Sequence, residues 1–208
     1  MYTKLNQKIS AHFNSSEFKC KCGCNTVKVD DSLINMLEKI MGVLNSNYCI
    51  INSGYRCPSY DKKIGGFVGK HSQGIACDCK FYDKNMKIIP SWKVLCVCQD
   101  LYTQGGFAKI NNNSVHIDAR VGTIYRGDET ISNNTVTTDF YKYFNKTKTD
   151  VYGSSYQNTT NIDLSKVVDD VIKGKYGNGS VRKQKLQALG FDYKVIQTMV
   201  NERLRGGK

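Results

Sequence analysis

His71-Ser72-Gln73-Gly74-Ile75-Ala76-Cys77-Asp78 sets an imidazole and a carboxylate seven positions apart, with Gly74 and Ala76 between them. The small residues let the backbone pass from a loop into a strand without crowding whatever lies between the two side chains. A second imidazole follows in Val115-His116-Ile117-Asp118. Two neutral imidazoles and one carboxylate are the usual three-ligand set of a catalytic zinc, with a fourth position left for water. The pattern therefore predicts that His71, Asp78 and His116 hold Zn2+. Asp118 shares a strand face with His116 and is expected to act as general base toward the attacking water. Its other role would be a hydrogen bond that orients an imidazole. Arg56, on the turn Ser53-Gly54-Tyr55-Arg56-Cys57-Pro58, can bind a substrate carboxylate or stabilise a tetrahedral oxyanion; the alternative is a surface cation. His12 reads as structural or surface.

Working outward, Asp30 and Asp31 cap a helix whose Leu33, Ile34, Leu37, Ile40, Met41 and Leu44 form one apolar face. Tyr48 to Asn52 is a short apolar run, read as a buried strand. The Gly-rich loop Gly65-Gly66-Phe67-Val68-Gly69-Lys70 leads to His71 and a strand from Ile75 to Phe81. Pro90 opens a helix through Trp92, Leu95, Val97 and Leu101. A hairpin is predicted for Phe107–Ile110 and Ser114–Arg120, turning at Asn111-Asn112-Asn113. Helices and short-turned strands together predict an α+β domain with a mainly antiparallel sheet over residues 1–124.

Residues 125–161 are rich in Thr, Asn, Ser and Gly and show no sustained period. They read as a linker, in part as strands completing the first domain, with 153–160 the most linker-like. Residues 162–208 turn helical again. Leu164, Val167, Val168, Val171 and Ile172 form a stripe, broken at Gly174-Lys175-Tyr176-Gly177-Asn178-Gly179. Ser180 caps a second helix containing Leu186 and Leu189, stopped by Gly190. Asp192 caps a third with Val195, Ile196, Met199, Val200 and Leu204. The prediction is a small three-helix bundle.

Net charge is +12 over 208 residues. Residues 1–124 carry 16 Lys and Arg against 9 Asp and Glu, 125–161 carry 4 against 4, and 162–208 carry 10 against 5. Two basic segments thus flank a neutral one, and a polyanion is the natural partner: nucleic acid, an anionic membrane or an anionic cell wall. Charge alone does not choose among them, and plain solubility explains it equally. No apolar run approaches the ~18 residues of a membrane span. The N-terminal stretch has no apolar segment of the secretory type, so synthesis in the cytoplasm is expected. The nine cysteines are then expected as thiols. Cys77 and Cys79 alternate with Asp78 and should face the core, as should Cys96 and Cys98. Cys20-Lys21-Cys22-Gly23-Cys24 lacks the C-x₂₋₄-C spacing of a zinc ribbon and a second pair. Ordinary thiols, or a partial disulfide with Cys57 or Cys49, are expected there ahead of a structural metal.

Taken together, Ser53-Gly54-Tyr55-Arg56, the Gly65-Gly66 loop, His71-x-x-Gly74-x-Ala76-x-Asp78 and His116-x-Asp118 resemble the zinc D-Ala-D-Ala carboxypeptidase family of peptidoglycan peptidases. The form is that of many phage endolysins, which often begin with a stretch like Phe18 to Cys24. The resemblance spans about residues 10–122. It implies the hedgehog/D-Ala-D-Ala carboxypeptidase-like fold, one catalytic zinc held by His71, Asp78 and His116, and Arg56 as the substrate or transition-state cation. Some relatives carry the acidic base three residues before the last His; Asn113 stands there, which favours Asp118. Residues 162–204, through Ile172-x-Gly174-x-Tyr176-Gly177-Asn178-Gly179, Arg182, Leu186, Leu189-Gly190, Asp192-Tyr193 and Val200-Asn201, resemble the Cpl-seven (CW-seven) wall-binding repeat. That resemblance implies muropeptide binding by Tyr176, Asn178, Gly179 and Arg182. The alternative for this segment is a generic basic, DNA-binding bundle. The combined expectation is a monomeric phage endolysin acting on bacterial peptidoglycan after release from the host, without nucleic-acid partner or membrane insertion. It cleaves as an endopeptidase or as a D-Ala-D-Ala carboxypeptidase. A wall-binding protein with an inert site is the rival reading.

Overall fold

The computed structural model describes residues 1–65, 69–153, 164–188 and 193–205. Residues 66–68 of the Gly-rich loop, residues 154–161 of the expected linker, residues 162–163 at the start of the expected helical segment, and the Leu189-Gly190 stop and Asp192 cap lie outside the described residues. The chain forms two compact units, Met1–Val151 and Tyr152–Lys208.

The first unit opens with irregular chain and a 3-10 turn at Ser15–Phe18. Helix α1 (Asp31–Leu44) starts where the Asp30 carboxylate accepts the Ser32 N–H, and ends at Asn45 in the left-handed conformation. Its predicted apolar face is buried, with Met36 added. Each such side chain contributes about 1.5–3 kcal/mol on burial, so packing rather than propensity fixes this helix. There follow β1 (Tyr48–Ser53), α2 (Pro58–Lys63), α3 (Lys70–Gln73), β2 (Ala76–Tyr82), β3 (Ile88–Ile89), α4 (Ser91–Leu101), β4 (Gly105–Asn111), β5 (Ser114–Asp118) and β6 (Ile124–Asp128). The strands run in the order β1-β2-β5-β4-β6, with β3 paired to β2. Every pairing is antiparallel except β4 with β6. The unit is α+β with a mixed, mostly antiparallel sheet, as the sequence predicted.

The pleat sorts the side chains. Cys77, Cys79, Phe81, Phe107, Val115 and Ile117 are fully buried. Helix α4 packs on β4 and β5 and against α1, and contributes Leu95, Cys96 and Cys98 to the core. The alternate positions, among them Asp78, Ala108, His116, Asp118 and Gly127, share the opposite face.

Two local features differ from expectation. His71 lies on the single turn of α3, closed by Gly74 in the left-handed conformation, and not in an open loop. Helix α2 was not foreseen; Cys57 precedes it and Pro58 takes its first position, where a missing N–H costs nothing. Residues 125–151 also carry more structure than a linker. Besides β6, a strand of the kind the sequence allowed there, they hold α5 (Phe140–Tyr143) and α6 (Lys148–Tyr152), with Phe140 and Val151 buried. Buried Asp128 fastens them: its carboxylate accepts from Thr130 and from the Tyr143 hydroxyl at 2.9 Å, and pairs with Lys109. The Thr- and Asn-rich composition hid this, because a few buried aromatics and one buried carboxylate carry no period.

The second unit contains α7 (Leu164–Ile172), α8 (Gly179–Ala188) and α9 (Tyr193–Arg205). Val167, Val168, Val171, Leu186, Ile196 and Val200 form its core, with Tyr176, Tyr193 and Met199 packed against it. Ile172 and Leu204, both placed on the apolar stripes by sequence, are exposed.

Candidate metal centre

Three elements bring the predicted ligands together. Asp78 on β2 is the direct cross-strand partner of His116 on β5. His71 reaches the same face from α3, and the two imidazole rings lie 5.1 Å apart between centroids. One potential ligand atom from each of the three lies within 4.8 Å of the others.

Each ring nitrogen has a defined neighbour. His71 Nδ1 donates to the Gly54 carbonyl at 2.8 Å, which leaves Nε2 facing Asp78 Oδ1 at 3.4 Å. His116 Nε2 lies 3.2 Å from Asp118 Oδ2, while Nδ1 lies 3.0 Å from the same Asp78 Oδ1. Two imidazole nitrogens therefore converge on one carboxylate oxygen. Ligands bound at about 2.0–2.1 Å to a tetrahedral zinc stand about 3.4 Å apart, so the donor set and its spacing fit that ion.

Asp118 is fully buried behind His116. Arg120 clamps it, with Nε 2.8 Å from Oδ1 and Nη2 2.6 Å from Oδ2, and the Arg120 backbone N–H adds a bond at 3.0 Å. Gly106 pairs with Asp118 across the strands, and a Cβ there would sit 2.0 Å from Asp118 Oδ2. The carboxylate fills the space a side chain would need. Asp118 thus meets the imidazole nitrogen opposite the one that faces Asp78. Arg56 is also engaged: Nε bonds Ser53 Oγ at 3.0 Å, Nη2 bonds Asp78 Oδ2 at 2.5 Å, and Nη1 stands 3.6 Å from buried Asp61. Asn113 sits in the turn between β4 and β5, with its N–H on Asn111 Oδ1. His12 lies apart, paired with Glu38.

The charges are tightly balanced. Burial pushes the Asp78 carboxyl up, but His116 and His71 outweigh it and hold the group well below the usual carboxylate range. Burial likewise raises Asp118, and Arg120 with His116 bring it well below that range. For His116, burial favours the neutral ring, yet Asp118 and Asp78 raise its pKa to about 9.

One residue in this neighbourhood escaped the sequence reading. Glu129 follows β6, and its N–H still bonds the Lys109 carbonyl at 2.8 Å. Gly127, two residues earlier, pairs with Ala108, which pairs with His116. The period of two places Glu129 on the His116 face. It is solvent-exposed. Loss of hydration raises its carboxyl pKa and Asp78 raises it further, against His116, Arg56 and His71. No spacing rule links Glu129 to His116; only strand order does.

Residues 11–118 match the family model of peptidase M15, just over half of the chain. The chain belongs to the peptidase M15 family. The match falls on the segment whose motifs carried the resemblance above. Residues 165–204 match the CW_7 repeat, a span that takes in α7, α8 and α9 of the second unit. The two matches support a peptidoglycan-acting peptidase with a cell-wall-binding module. No curated protein and no solved structure matches the chain.

In that repeat the predicted binding residues cluster around one turn. Asn178 and Gly179 are exposed, and Tyr176 packs against the core. Arg182 is engaged within the module: Nε bonds the Gly177 carbonyl at 3.0 Å, Nη2 bonds Asn178 Oδ1 at 2.8 Å, and Nη1 reaches Gln197 Oε1 at 3.3 Å. It ties the glycine-rich turn to α9. Among the described residues, no helix is long and apolar enough to cross a membrane.

Proposed function

We propose that this chain is a modular lytic enzyme: a zinc-dependent peptidase that cleaves stem peptides of bacterial peptidoglycan, held to the wall by its C-terminal module. The observation that carries this reading is the convergence of His71 Nε2 and His116 Nδ1 on Asp78 Oδ1. Zinc held there by His71, Asp78 and His116 would supply Lewis acidity to the scissile carbonyl and to the attacking water. The hedgehog/D-Ala-D-Ala carboxypeptidase-like arrangement is the finer fold assignment that goes with this chemistry.

The protein's own groups divide the remaining work. The Gly54 carbonyl and Asp118 fix the two imidazoles by their outer nitrogens, which sets tautomer and ring angle. Asp118 is thereby a positioning residue. The proton of the attacking water passes instead to Glu129, which shares the His116 face and is open to solvent; its raised pKa improves it as a base near neutrality. Arg56 neutralises Asp78 and keeps N–H donors beyond those given to Ser53 and Asp78. These can receive a substrate carboxylate or the developing oxyanion. The C-terminal module raises the local concentration of wall peptides around this site. The protein works as a monomeric phage endolysin, made in the host cytoplasm and reaching the wall on lysis.

Incubation with purified sacculi tests this. Mass spectrometry of the released material should show either new amino termini within stem peptides, as for an endopeptidase, or loss of terminal D-Ala, as for a carboxypeptidase. His71→Ala should abolish both. Unchanged wall peptides after treatment with zinc-loaded wild-type protein, or full activity in His71→Ala, would sink the proposal.

A further inference from the structure

A second cluster of metal-ligating side chains lies outside the sheet site. Cys20, Cys22, Cys24 and Cys57 place their sulfurs within 4.8 Å of one another. The Cys20 and Cys22 sulfurs are 3.4 Å apart, and those of Cys22 and Cys57 3.6 Å. All four are free thiols. A disulfide requires about 2.05 Å between sulfurs. Four sulfurs bound at about 2.3 Å to one tetrahedral ion stand about 3.8 Å apart. The observed spacing belongs to the second arrangement.

The local fold converges these groups without using the ribbon spacing. The Cys20 N–H bonds the Thr26 carbonyl at 2.8 Å and closes a tight loop, in which Gly23 and Asn25 take positive φ. That loop turns Cys22 and Cys24 back toward Cys20. Cys57 arrives from 37 positions away because its segment is sewn to the loop. Tyr55 N–H bonds the Phe18 carbonyl at 2.8 Å, and Cys57 N–H points to Cys20 Sγ at 3.3 Å. At Gly54 a Cβ would lie 2.6 Å from Phe18 Cα, so only glycine permits this contact. Lys21 and Lys63 line the same shallow cavity as Cys22 and can offset the two negative charges of a tetrathiolate zinc. Cys49, which the sequence offered as a disulfide partner, is buried in the core with Cys77, Cys79, Cys96 and Cys98.

We propose that Cys20, Cys22, Cys24 and Cys57 bind a second, structural zinc ion that fastens the loop carrying Gly54 and Arg56. Four thiolates close the coordination sphere and leave no position for substrate. The ion is bound as the thiols lose their protons. Its mechanical consequence runs one residue from Cys57 to Arg56 and three to Gly54, whose carbonyl orients His71.

Metal analysis of the full-length chain under reducing conditions should find two zinc ions, and one in His71→Ala. Cys22→Ser and Cys24→Ser, at exposed positions, should each lose one ion and keep that of the sheet site. Cobalt loaded into His71→Ala, where all four cysteines remain, should give the intense sulfur-to-cobalt absorbance of a tetrathiolate. A mercurial titration should abolish that absorbance as four thiols react. One ion in the wild type and none in His71→Ala overturns the proposal, as does a Cys22–Cys57 disulfide in the intact mass or iron at the thiols. Failure of the sheet site alone reads differently: one ion in both proteins, with the cobalt absorbance present.

Discussion

At the sheet, the three predicted ligands converge and each has a partner behind it: His71 the Gly54 carbonyl, Asp78 Arg56, His116 Asp118. At the N-terminal loop, four thiols converge and, among the described residues, no charged group braces them: the Cys57 N–H is directed at Cys20, Thr26 contacts Cys24, and Ser59 and Tyr60 contact Cys57. The difference follows from what each cluster leaves open. A three-ligand site keeps a position for substrate, so its geometry must be imposed by surrounding groups. A four-thiol site is closed, and an ion bound there would itself supply the geometry. The groups near the sheet site therefore divide into those that brace ligands and those free to react, and mutation can tell them apart.

The largest effect expected from a residue that is not a ligand is at Glu129. Glu129→Gln should lower peptidase activity about 10²–10⁴-fold, the range of general-base catalysis, with zinc content and KM little changed. Activity within a fewfold of wild type would return the proton to some other group. Asp118→Asn should act on metal binding instead: the amide cannot accept from the His116 ring and from Arg120 as the carboxylate does. Zinc affinity should fall about 10–100-fold, and saturating zinc should restore most activity. If Asp118→Asn bound zinc normally and lost activity outright, Asp118 would be the base after all and the division drawn above would fail. Gly106→Ala is a companion probe, since its methyl must displace the Asp118 carboxylate; it should reproduce the Asp118→Asn affinity loss without removing any charge.

The residues that could be read in the sequence are those whose identity alone is informative. His71, Asp78 and His116 were legible because imidazoles are scarce here and each of these two stands within a few residues of an aspartate, with small residues between His71 and Asp78. The alternation of Cys77, Asp78 and Cys79 put Asp78 on the face away from the core, but the meeting of the three also needed the β2–β5 pairing and the position of α3, which no local pattern gives. The bracing partners were hidden because they depend on which way a ring faces. Asp118 shares a strand face with His116 whether it serves as base or brace; its contact with His116 Nε2 is what supports the brace, and a period of two cannot express it. Cys57 stood in the sequence beside Cys49 as one of two distant partners for the loop, separated from it by the whole of α1 and β1; the Tyr55–Phe18 bond and the close approach of Gly54 to Phe18 single it out. Glu129 lay in a segment whose polar composition reads as linker, and its neighbours are set by the parallel β4–β6 pairing, which no local pattern announces.

The braced site should also respond to pH when its metal is removed. His116 has its pKa raised from 6.5 to about 9 in the folded chain. Its contribution to stability is therefore complete below about 6.5 and is lost as pH rises through about 9, up to about 3 kcal/mol in all. Asp78 and Asp118 are held low, so their contribution is present above the ordinary carboxylate pKa near 3.8 and is lost as pH falls below it. Chelator-treated protein should melt at lower temperature on both sides of that window. Zinc should remove the alkaline fall, because His116 is then neutral and bound. A His116→Gln variant separates this from titration of the exposed thiols: it should lack the fall that its titration predicts. An identical alkaline fall in that variant would assign the effect to the cysteines.

The smallest effect expected concerns the second unit, where the same division between bracing and reacting applies to Arg182. Its guanidinium is occupied by Gly177, Asn178 and Gln197, all within the module. If it is a brace, Arg182→Ala loses bonds that are partly exposed and should destabilise the module by about 1 kcal/mol. Wall affinity should then fall only as far as the turn loosens, and Arg182→Lys should recover little, because a single ammonium cannot reproduce three bonds held in a planar fork. Recognition predicts the opposite pattern. A guanidinium that pairs with a muropeptide carboxylate would cost affinity at unchanged melting temperature, and lysine would restore part of it as a point charge. Exposed Asn178 gives the control, since Asn178→Ala removes one of the three bonds to Arg182 while leaving its charge in place. If Arg182 is a brace, the two alanine variants should shift stability in the same direction, with Arg182→Ala the larger. If only Arg182→Ala weakens wall binding and neither variant changes stability, the side chain is a ligand-binding group despite its internal bonds.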